Sequence, residues 1–342
     1  MKNYFFLSKV KDISMINMKV MILKITILGT GAFGLAIGNL LHNKSNAEIK
    51  LWTNFEEEYL EITNNNTYNK VLEGIKLAND LQVTMDLEEA LENTNLIIVA
   101  VPCNHVREVL NRIKEFLSFD SKIVLVSKGL ETSSNLLMID IFKELNLKGK
   151  VSYLAGPTFA KELITNSISG LTLATTDNMT KEIMTSLFKD TNVDLEITED
   201  YIGLELYGVI KNIMAILMGS INSKYKEDST NAYYLTKIYN YTKNIVIKLG
   251  GKEKTASCYG ALGDILLTCN SKTSRNYVYG TLLYTNKEGA KDYLKNVTVE
   301  GAIAITALKQ ILDSKKQSSL FFDKLESYFK GNIDLDDVLK EF

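Results

Sequence analysis

The segment Gly29-Thr30-Gly31-Ala32-Phe33-Gly34 directly follows the apolar run Ile25-Thr26-Ile27-Leu28 and runs into a helical pattern. Strand, glycine triplet and helix in that order leave few folds open. Gly29 permits a tight turn, Gly31 lets backbone approach a pyrophosphate, and Gly34 lets the helix pack closely on the strand. The helix start then offers free N–H groups to phosphate oxygens. This spacing predicts a dinucleotide site near the start of a Rossmann domain. The acid expected about 20 residues further on, which binds ribose hydroxyls in NAD enzymes, is missing. The second strand ends Lys50-Leu51-Trp52-Thr53-Asn54. Asn54 is the candidate contact there, and the choice between NAD(H) and NADP(H) stays open.

The rest of the first half repeats the alternation. Strand-like runs at Lys24–Leu28, Ile49–Trp52, Leu96–Val101, Lys122–Ser127, Val151–Ala155 and Ser169–Ala174 are separated by helical patterns, as at Phe33–Leu41 and Val106–Leu117. Such alternation predicts an α/β Rossmann domain, a doubly wound, mostly parallel sheet with helices on both faces. Beyond about residue 198 apolar residues recur at spacings of three and four through Leu204–Leu217, Tyr234–Lys248, Ala302–Leu312 and Leu320–Phe329, which predicts an all-α second half. The expected organisation is a disordered leader over 1–22, a dinucleotide-binding domain over 23–198 and an all-helical substrate-binding domain over 199–342.

The 39 basic and 41 acidic residues nearly cancel, which gives no electrostatic case for nucleic acid or an anionic membrane. Cys103, Cys258 and Cys269 are too few and too scattered for a disulfide framework or a metal site, so a reduced, cytoplasmic setting is expected. Tyr201–Met218 is mostly apolar but carries Glu205, Lys211 and Asn212. It reads as a buried helix, not a membrane span.

Four polar clusters stand out against apolar surroundings. Ala100-Val101-Pro102-Cys103-Asn104 and Ser127-Lys128-Gly129-Leu130-Glu131 end strands, at the edge where open α/β sheets bind ligands. Gly156-Pro157-Thr158-Phe159-Ala160-Lys161-Glu162 follows another strand and offers N–H groups and a hydroxyl at that edge. Gly260-Ala261-Leu262-Gly263-Asp264 precedes Thr268 and Ser274-Arg275-Asn276, a combination suited to a phosphate ester. Arg supplies a planar fork of donors, Asn a neutral donor, and Asp a partner for a hydroxyl or cation. Lys211 lies among many apolar residues, where burial lowers a lysine pKa and makes it a usable acid–base group.

Taken in order, these clusters resemble the NAD(P)-dependent glycerol-3-phosphate dehydrogenases of the bacterial type, from about Lys24 to Leu312. Glu300, in Val299-Glu300-Gly301, matches one further motif. The resemblance implies an oxidoreductase that interconverts dihydroxyacetone phosphate and sn-glycerol 3-phosphate, supplying glycerophospholipid synthesis, with the active site between the two halves and a homodimeric assembly. Lys211 would be the acid–base residue, and Lys128 would touch both cofactor and substrate. Gly156, Thr158, Asp264, Thr268, Ser274, Arg275 and Asn276 would bind the substrate. Ala32, Phe33, Ala160, Arg275 and Glu300 would meet the dinucleotide. Where the family often has Arg two positions after the strand-end Trp, this chain has Asn54. Where it usually has an aromatic-Leu-Pro element, this chain has Val71-Leu72-Glu73.

Two other readings compete. A related hydroxyacid dehydrogenase would also use a Lys but requires a carboxylate-bearing substrate. A dinucleotide-sensing module would need neither Lys211 nor Arg275.

Overall fold

The computed structural model describes residues 22–317 and 319–341. The expected leader, except for Ile22, lies outside the described residues. Eight strands form one sheet: β1 (Lys24–Leu28), β2 (Glu48–Trp52), β3 (Gln82–Thr84), β4 (Leu96–Val99), β5 (Lys122–Leu125), β6 (Lys150–Ala155), β7 (Ser169–Ala174) and β8 (Val193–Thr198). Their order is β3-β2-β1-β4-β5-β6-β7-β8. All neighbours are parallel except β6 and β7. Helices α1 (Ala32–Lys44), α2 (Glu56–Asn65), α3 (Leu87–Leu91), α4 (Cys103–Ile113), α5 (Met138–Glu144), α6 (Ala160–Ile164) and α7 (Asn178–Phe188) connect them.

The central strands are apolar on both sides because helices cover both faces. Every residue of β4 is buried, as are the last four of β1. Register matters for function. Leu28 pairs with both Trp52 and Val99, Val99 with Leu125, and Leu125 with Tyr153. The C-terminal ends of β1, β2, β4, β5 and β6 therefore form one ledge. The strand order reverses at β1 and β4, where such sheets leave a crevice for ligands.

After β8 the described chain is helical: α8 (Tyr201–Lys224), α9 (Asp228–Lys248), α10 (Asp264–Asn270), α11 (Arg275–Thr285), α12 (Lys287–Asn296), α13 (Glu300–Ser314), α14 (Leu320–Phe329) and α15 (Leu335–Leu339), with a π-helical turn at Tyr259–Gly263 before α10. Helix α8 is the axis of this half and is buried without interruption from Gly203 to Ile221. It is long and apolar enough to cross a membrane, yet 94% of its most apolar window lies inside the protein. Helix α11 packs on it with backbones touching. A Cβ at Gly280 would lie 1.9 Å from the Ile216 carbonyl oxygen, and one at Gly219 would lie 2.1 Å from that of Tyr277. No side chain fits at either position, and that close approach brings Ser274-Arg275-Asn276 beside Lys211-Asn212.

Candidate active site

The glycine loop at the end of β1 is shaped by its neighbours. Gly29 has φ +113°, a left-handed conformation that suits glycine. A Cβ there would sit 2.8 Å from the Ala100 carbonyl oxygen, and one at Gly34 would sit 2.1 Å from that of Gly29. At Gly31 the nearest atom to such a Cβ is 3.9 Å away, so this face of the loop is open. Gly31 is also the N-cap of α1 and places no side chain on the helix's first N–H groups. An open, glycine-lined helix start with uncapped donors fits a pyrophosphate. Phe33 and Ala160 pack on the sheet core beside it, and Ala32 does the same at the first position of α1.

Just beyond the end of β2, Asn54 is exposed. Its Oδ1 accepts a hydrogen bond from Arg112 at 3.1 Å, and the Arg112 guanidinium lies 4.7 Å above the Trp52 ring. On the other flank, the Glu58 carboxylate of α2 accepts hydrogen bonds from Thr30 in the glycine loop, from Thr53 at 2.6 Å and from Tyr68 at 3.1 Å.

The charged centre lies where the helical half meets the ledge. Lys211 Nζ donates to Asp264 Oδ1 at 2.5 Å and to Thr268 Oγ1 at 3.3 Å. Lys128 Nζ donates to Asp264 Oδ2 at 2.8 Å and to the Gly156 carbonyl oxygen at 2.8 Å. One buried carboxylate thus holds two ammonium groups, one from each half of the fold. Burial lowers Lys211 to about 8, a fall that the Asp264 carboxylate opposes and Lys128 reinforces. Burial would push Asp264 up, but the two cations outweigh it and keep the carboxyl below its ordinary value. Lys128 also lines a cleft of about 280 Å³ together with Pro102, Cys103, Val209, Asn212 and Glu300.

The remaining residues named from the sequence divide into two groups. Thr158 is buried, and among the described residues its hydroxyl has no hydrogen-bond partner. Buried hydroxyls are ordinarily hydrogen-bonded, so this one has both donor and acceptor capacity to spare at the ledge. Arg275 is half-exposed at the first position of α11, with its guanidinium 3.3 Å from Glu300 Oε1. Others carry structural duties. Gly156 faces the Gly170 carbonyl oxygen, which a Cβ would meet at 2.3 Å. Ser274 caps α11 by accepting from Tyr277 N–H. Asn276 is buried, donating to Asn212 Oδ1 at 3.0 Å and accepting from Gly301 N–H at 2.9 Å. Asn212 in turn donates to Glu300 Oε2 at 2.9 Å, so Asn276, Asn212 and Glu300 form one chain of hydrogen bonds across α11, α8 and α13.

Residues 24–181 match the family described as NAD-dependent glycerol-3-phosphate dehydrogenase N-terminus, and residues 200–340 match its C-terminus. The chain belongs to the NAD-dependent glycerol-3-phosphate dehydrogenase family. A glycerol-3-phosphate dehydrogenase [NAD(P)+] of Thermoanaerobacter sp. (strain X514) is 31% identical over 281 residues, covering 82% of this chain and 84% of that one. One from Leptospira biflexa is 31% identical over 297 residues, covering 85% and 88%. In fold, the crystal structure of glycerol-3-phosphate dehydrogenase from Coxiella burnetii superposes with a TM-score of 0.83 at 23% identity, covering 94% of this chain and 98% of that one.

Within this member of the family, three residues at or beside the site escape a reading by motif. Asn212 was visible only as the neighbour of Lys211. Glu58 lies on a helix that carries no motif. Glu205, one and a half turns before Lys211, is fully buried. Its Oε1 accepts from Ile139 N–H at 3.2 Å, and among the described residues its Oε2 has no partner. Burial pushes this carboxyl up to about 8.

Proposed function

We propose that this chain is a glycerol-3-phosphate dehydrogenase that reversibly transfers a hydride between NAD(H) or NADP(H) and C2 of the substrate pair dihydroxyacetone phosphate and sn-glycerol 3-phosphate. The observation that carries this reading is the buried pair Lys211–Asp264, with Lys128 on the same carboxylate. When bound, the dinucleotide supplies or accepts the hydride at C2. Everything else falls to the protein.

Gly29, Gly31 and Gly34, with the start of α1, hold the pyrophosphate. Ala32, Phe33, Ala160 and Glu300 border the dinucleotide, and Asn54 lies at its adenosine end. Lys211 moves the proton on the C2 oxygen: the ammonium donates it during reduction and the free amine accepts it during oxidation. A pKa lowered to about 8 keeps both forms populated near neutrality, as acid–base catalysis requires. Lys128 polarises the same oxygen, an electrostatic role that strengthens in a site sheltered from water. Asp264 holds both ammonium groups in place and Thr268 steadies Lys211. The unpartnered Thr158 hydroxyl, beside Gly156, contacts the substrate hydroxyls. Arg275 anchors the phosphate, assisted by the remaining amide hydrogen of Asn276, with Ser274 setting the start of α11. Anchoring one end fixes geometry at C2.

The decisive experiment mixes purified protein with dihydroxyacetone phosphate and reduced nicotinamide dinucleotide and follows loss of nicotinamide absorbance. Loss that depends on dihydroxyacetone phosphate supports the reading. No loss in protein that binds the dinucleotide rejects it and points to carboxylate-bearing substrates. The same reading places the enzyme in the cytoplasm as a homodimer, supplying glycerol 3-phosphate to glycerophospholipid synthesis. Its three cysteines are free thiols, as that compartment favours.

A further inference from the structure

The strand-end acid that reads ribose hydroxyls is missing from this sequence, but the structure brings a carboxylate to the same place by another route. Glu58 stands on the first turn of α2, beyond the strand end in sequence. In space it bridges the two elements that a strand-end acid would touch. Its Oε2 accepts from Thr30, the second residue of the glycine loop, and from Thr53, the first residue after β2. Thr30, Thr53 and Tyr68 are all buried, so the carboxylate is held by three fixed hydroxyls. Burial and the Glu58 carboxylate push the Tyr68 phenol up to about 12, which keeps it a donor. Oε1 takes a single hydrogen bond, from Tyr68. A carboxylate oxygen has about two lone-pair directions, so Oε1 retains room for another donor.

The surrounding charge points the same way. Glu56, Glu57 and Glu58 fill the first turn of α2, with no basic residue among them. The cation nearby is Arg112, which is spread over the Trp52 ring and hydrogen-bonded to Asn54. A ribose 2′-hydroxyl can donate to Glu58. A 2′-phosphate carries nearly two negative charges, cannot donate in its dianionic form and would face the Glu58 carboxylate, with two further acids on the same helix turn.

We propose that Glu58 is the specificity-determining residue that makes this enzyme prefer NADH to NADPH, standing in for the absent strand-end acid. This rests on the dinucleotide site of the proposed function and adds the choice between the two cofactors.

Binding to the whole protein without substrate tests it, using fluorescence titration with NADH and NADPH and calorimetry with 5′-AMP and adenosine 2′,5′-bisphosphate. The wild type is expected to bind NADH about tenfold or more tighter than NADPH, and Glu58→Gln to shrink that ratio about fivefold or more, chiefly through tighter NADPH binding. Added salt should narrow the wild-type ratio more than the ratio in E58Q. Asn54→Arg, at an exposed position, provides a second variant that leaves the hydroxyl cage intact and should also move the ratio toward NADPH. Equal affinities in the wild type, or a ratio unmoved in E58Q, would overturn the assignment. Failure of the wild type to bind either dinucleotide would instead overturn the site on which it depends.

Discussion

Lys211 Nζ and Asp264 Oδ1 lie 2.5 Å apart although 53 positions separate them in the chain. Both are buried, and the other oxygen of Asp264 is taken by Lys128. A buried carboxylate left with no cation would cost several kcal/mol. Asp264 has two partners, so losing one does not strand it. Lys211→Ala is therefore a clean probe of chemistry: the Asp264–Lys128 pair survives, and with it the fold. We expect turnover to fall by about 10²–10⁴-fold, the usual worth of a general acid–base, while dinucleotide affinity stays within about threefold of wild type. Steady-state rates and a fluorescence titration on the same preparation check both. Equal turnover in mutant and wild type would remove Lys211 from the mechanism.

The lowered pKa of Lys211 gives the two directions opposite pH profiles. Its ordinary value of 10.5 falls to about 8, mainly through burial. Below that value the ammonium dominates and can donate, so reduction of dihydroxyacetone phosphate should decline as pH rises through about 8. Above it the free amine dominates, so oxidation of glycerol 3-phosphate should rise over the same interval. The Asp264 carboxylate raises the Lys211 value, so Asp264→Asn should move both limbs to lower pH. Profiles of kcat/KM in each direction decide the matter, and limbs that stay put in Asp264→Asn would deny the coupling.

Glu205 offers a stability test independent of turnover. Its carboxyl, ordinarily near 4.5, is pushed up to about 8 by burial. Between those values the folded protein keeps a proton that the unfolded chain has lost. The stabilisation from this group is thus complete below about 4.5 and is lost as pH rises through about 8. Glu205→Gln mimics the protonated form and should flatten that slope, leaving the variant more stable than wild type at pH 8 by on the order of 4 kcal/mol. Urea midpoints at several pH values measure it. Parallel curves for the two proteins would show that Glu205 titrates normally.

Much of this architecture is legible in the sequence because its signals are local. The glycine triplet, the apolar runs of β1, β4 and β5 and the 3.6-residue period of α8 each lie within a short window. Two strands escaped. β3 has only three residues, Gln82–Thr84, too few to show a period. In β8, Val193, Leu195 and Ile197 alternate with Asp194, Glu196 and Thr198, a pattern that marks an edge strand but resembles a loop in composition. At the site, Lys211, Asp264 and Lys128 were recognisable singly, as polar residues in apolar or strand-end settings, yet their sharing of one carboxylate depends on the helical half closing onto the ledge. Glu58 was hidden for a similar reason: its partner Thr30 lies 28 positions away, and the β1–β2 pairing brings the glycine loop beside Thr53 and α2. The sequence motifs point to Gly156, Ser274 and Asn276 as ligand contacts, and the structure gives each a packing, capping or bridging duty.

Arg275 and Asn276 are neighbours in sequence with different surroundings, and this predicts different mutants. Arg275 is half-exposed, with a 3.3 Å contact to Glu300. Arg275→Ala should leave thermal stability within about 1 kcal/mol, since exposed ion pairs contribute little. Its cost should appear in KM for the phosphate substrate, about 30-fold or more, equivalent to roughly 2 kcal/mol for a lost charge-assisted contact. Asn276 is buried and joins Asn212 to Gly301 N–H. Asn276→Ala strands that N–H and the Asn212 carbonyl, so it should destabilise the protein by about 1–3 kcal/mol per unpaired group. Because Asn212 also orients Glu300, this variant should weaken dinucleotide binding as well as substrate binding. Melting curves and KM values for both ligands, measured on both variants, test the contrast. A stable Asn276→Ala enzyme with a raised KM for the phosphate substrate alone would make Asn276 a pure ligand contact, and an unchanged KM in Arg275→Ala would remove Arg275 as the phosphate anchor.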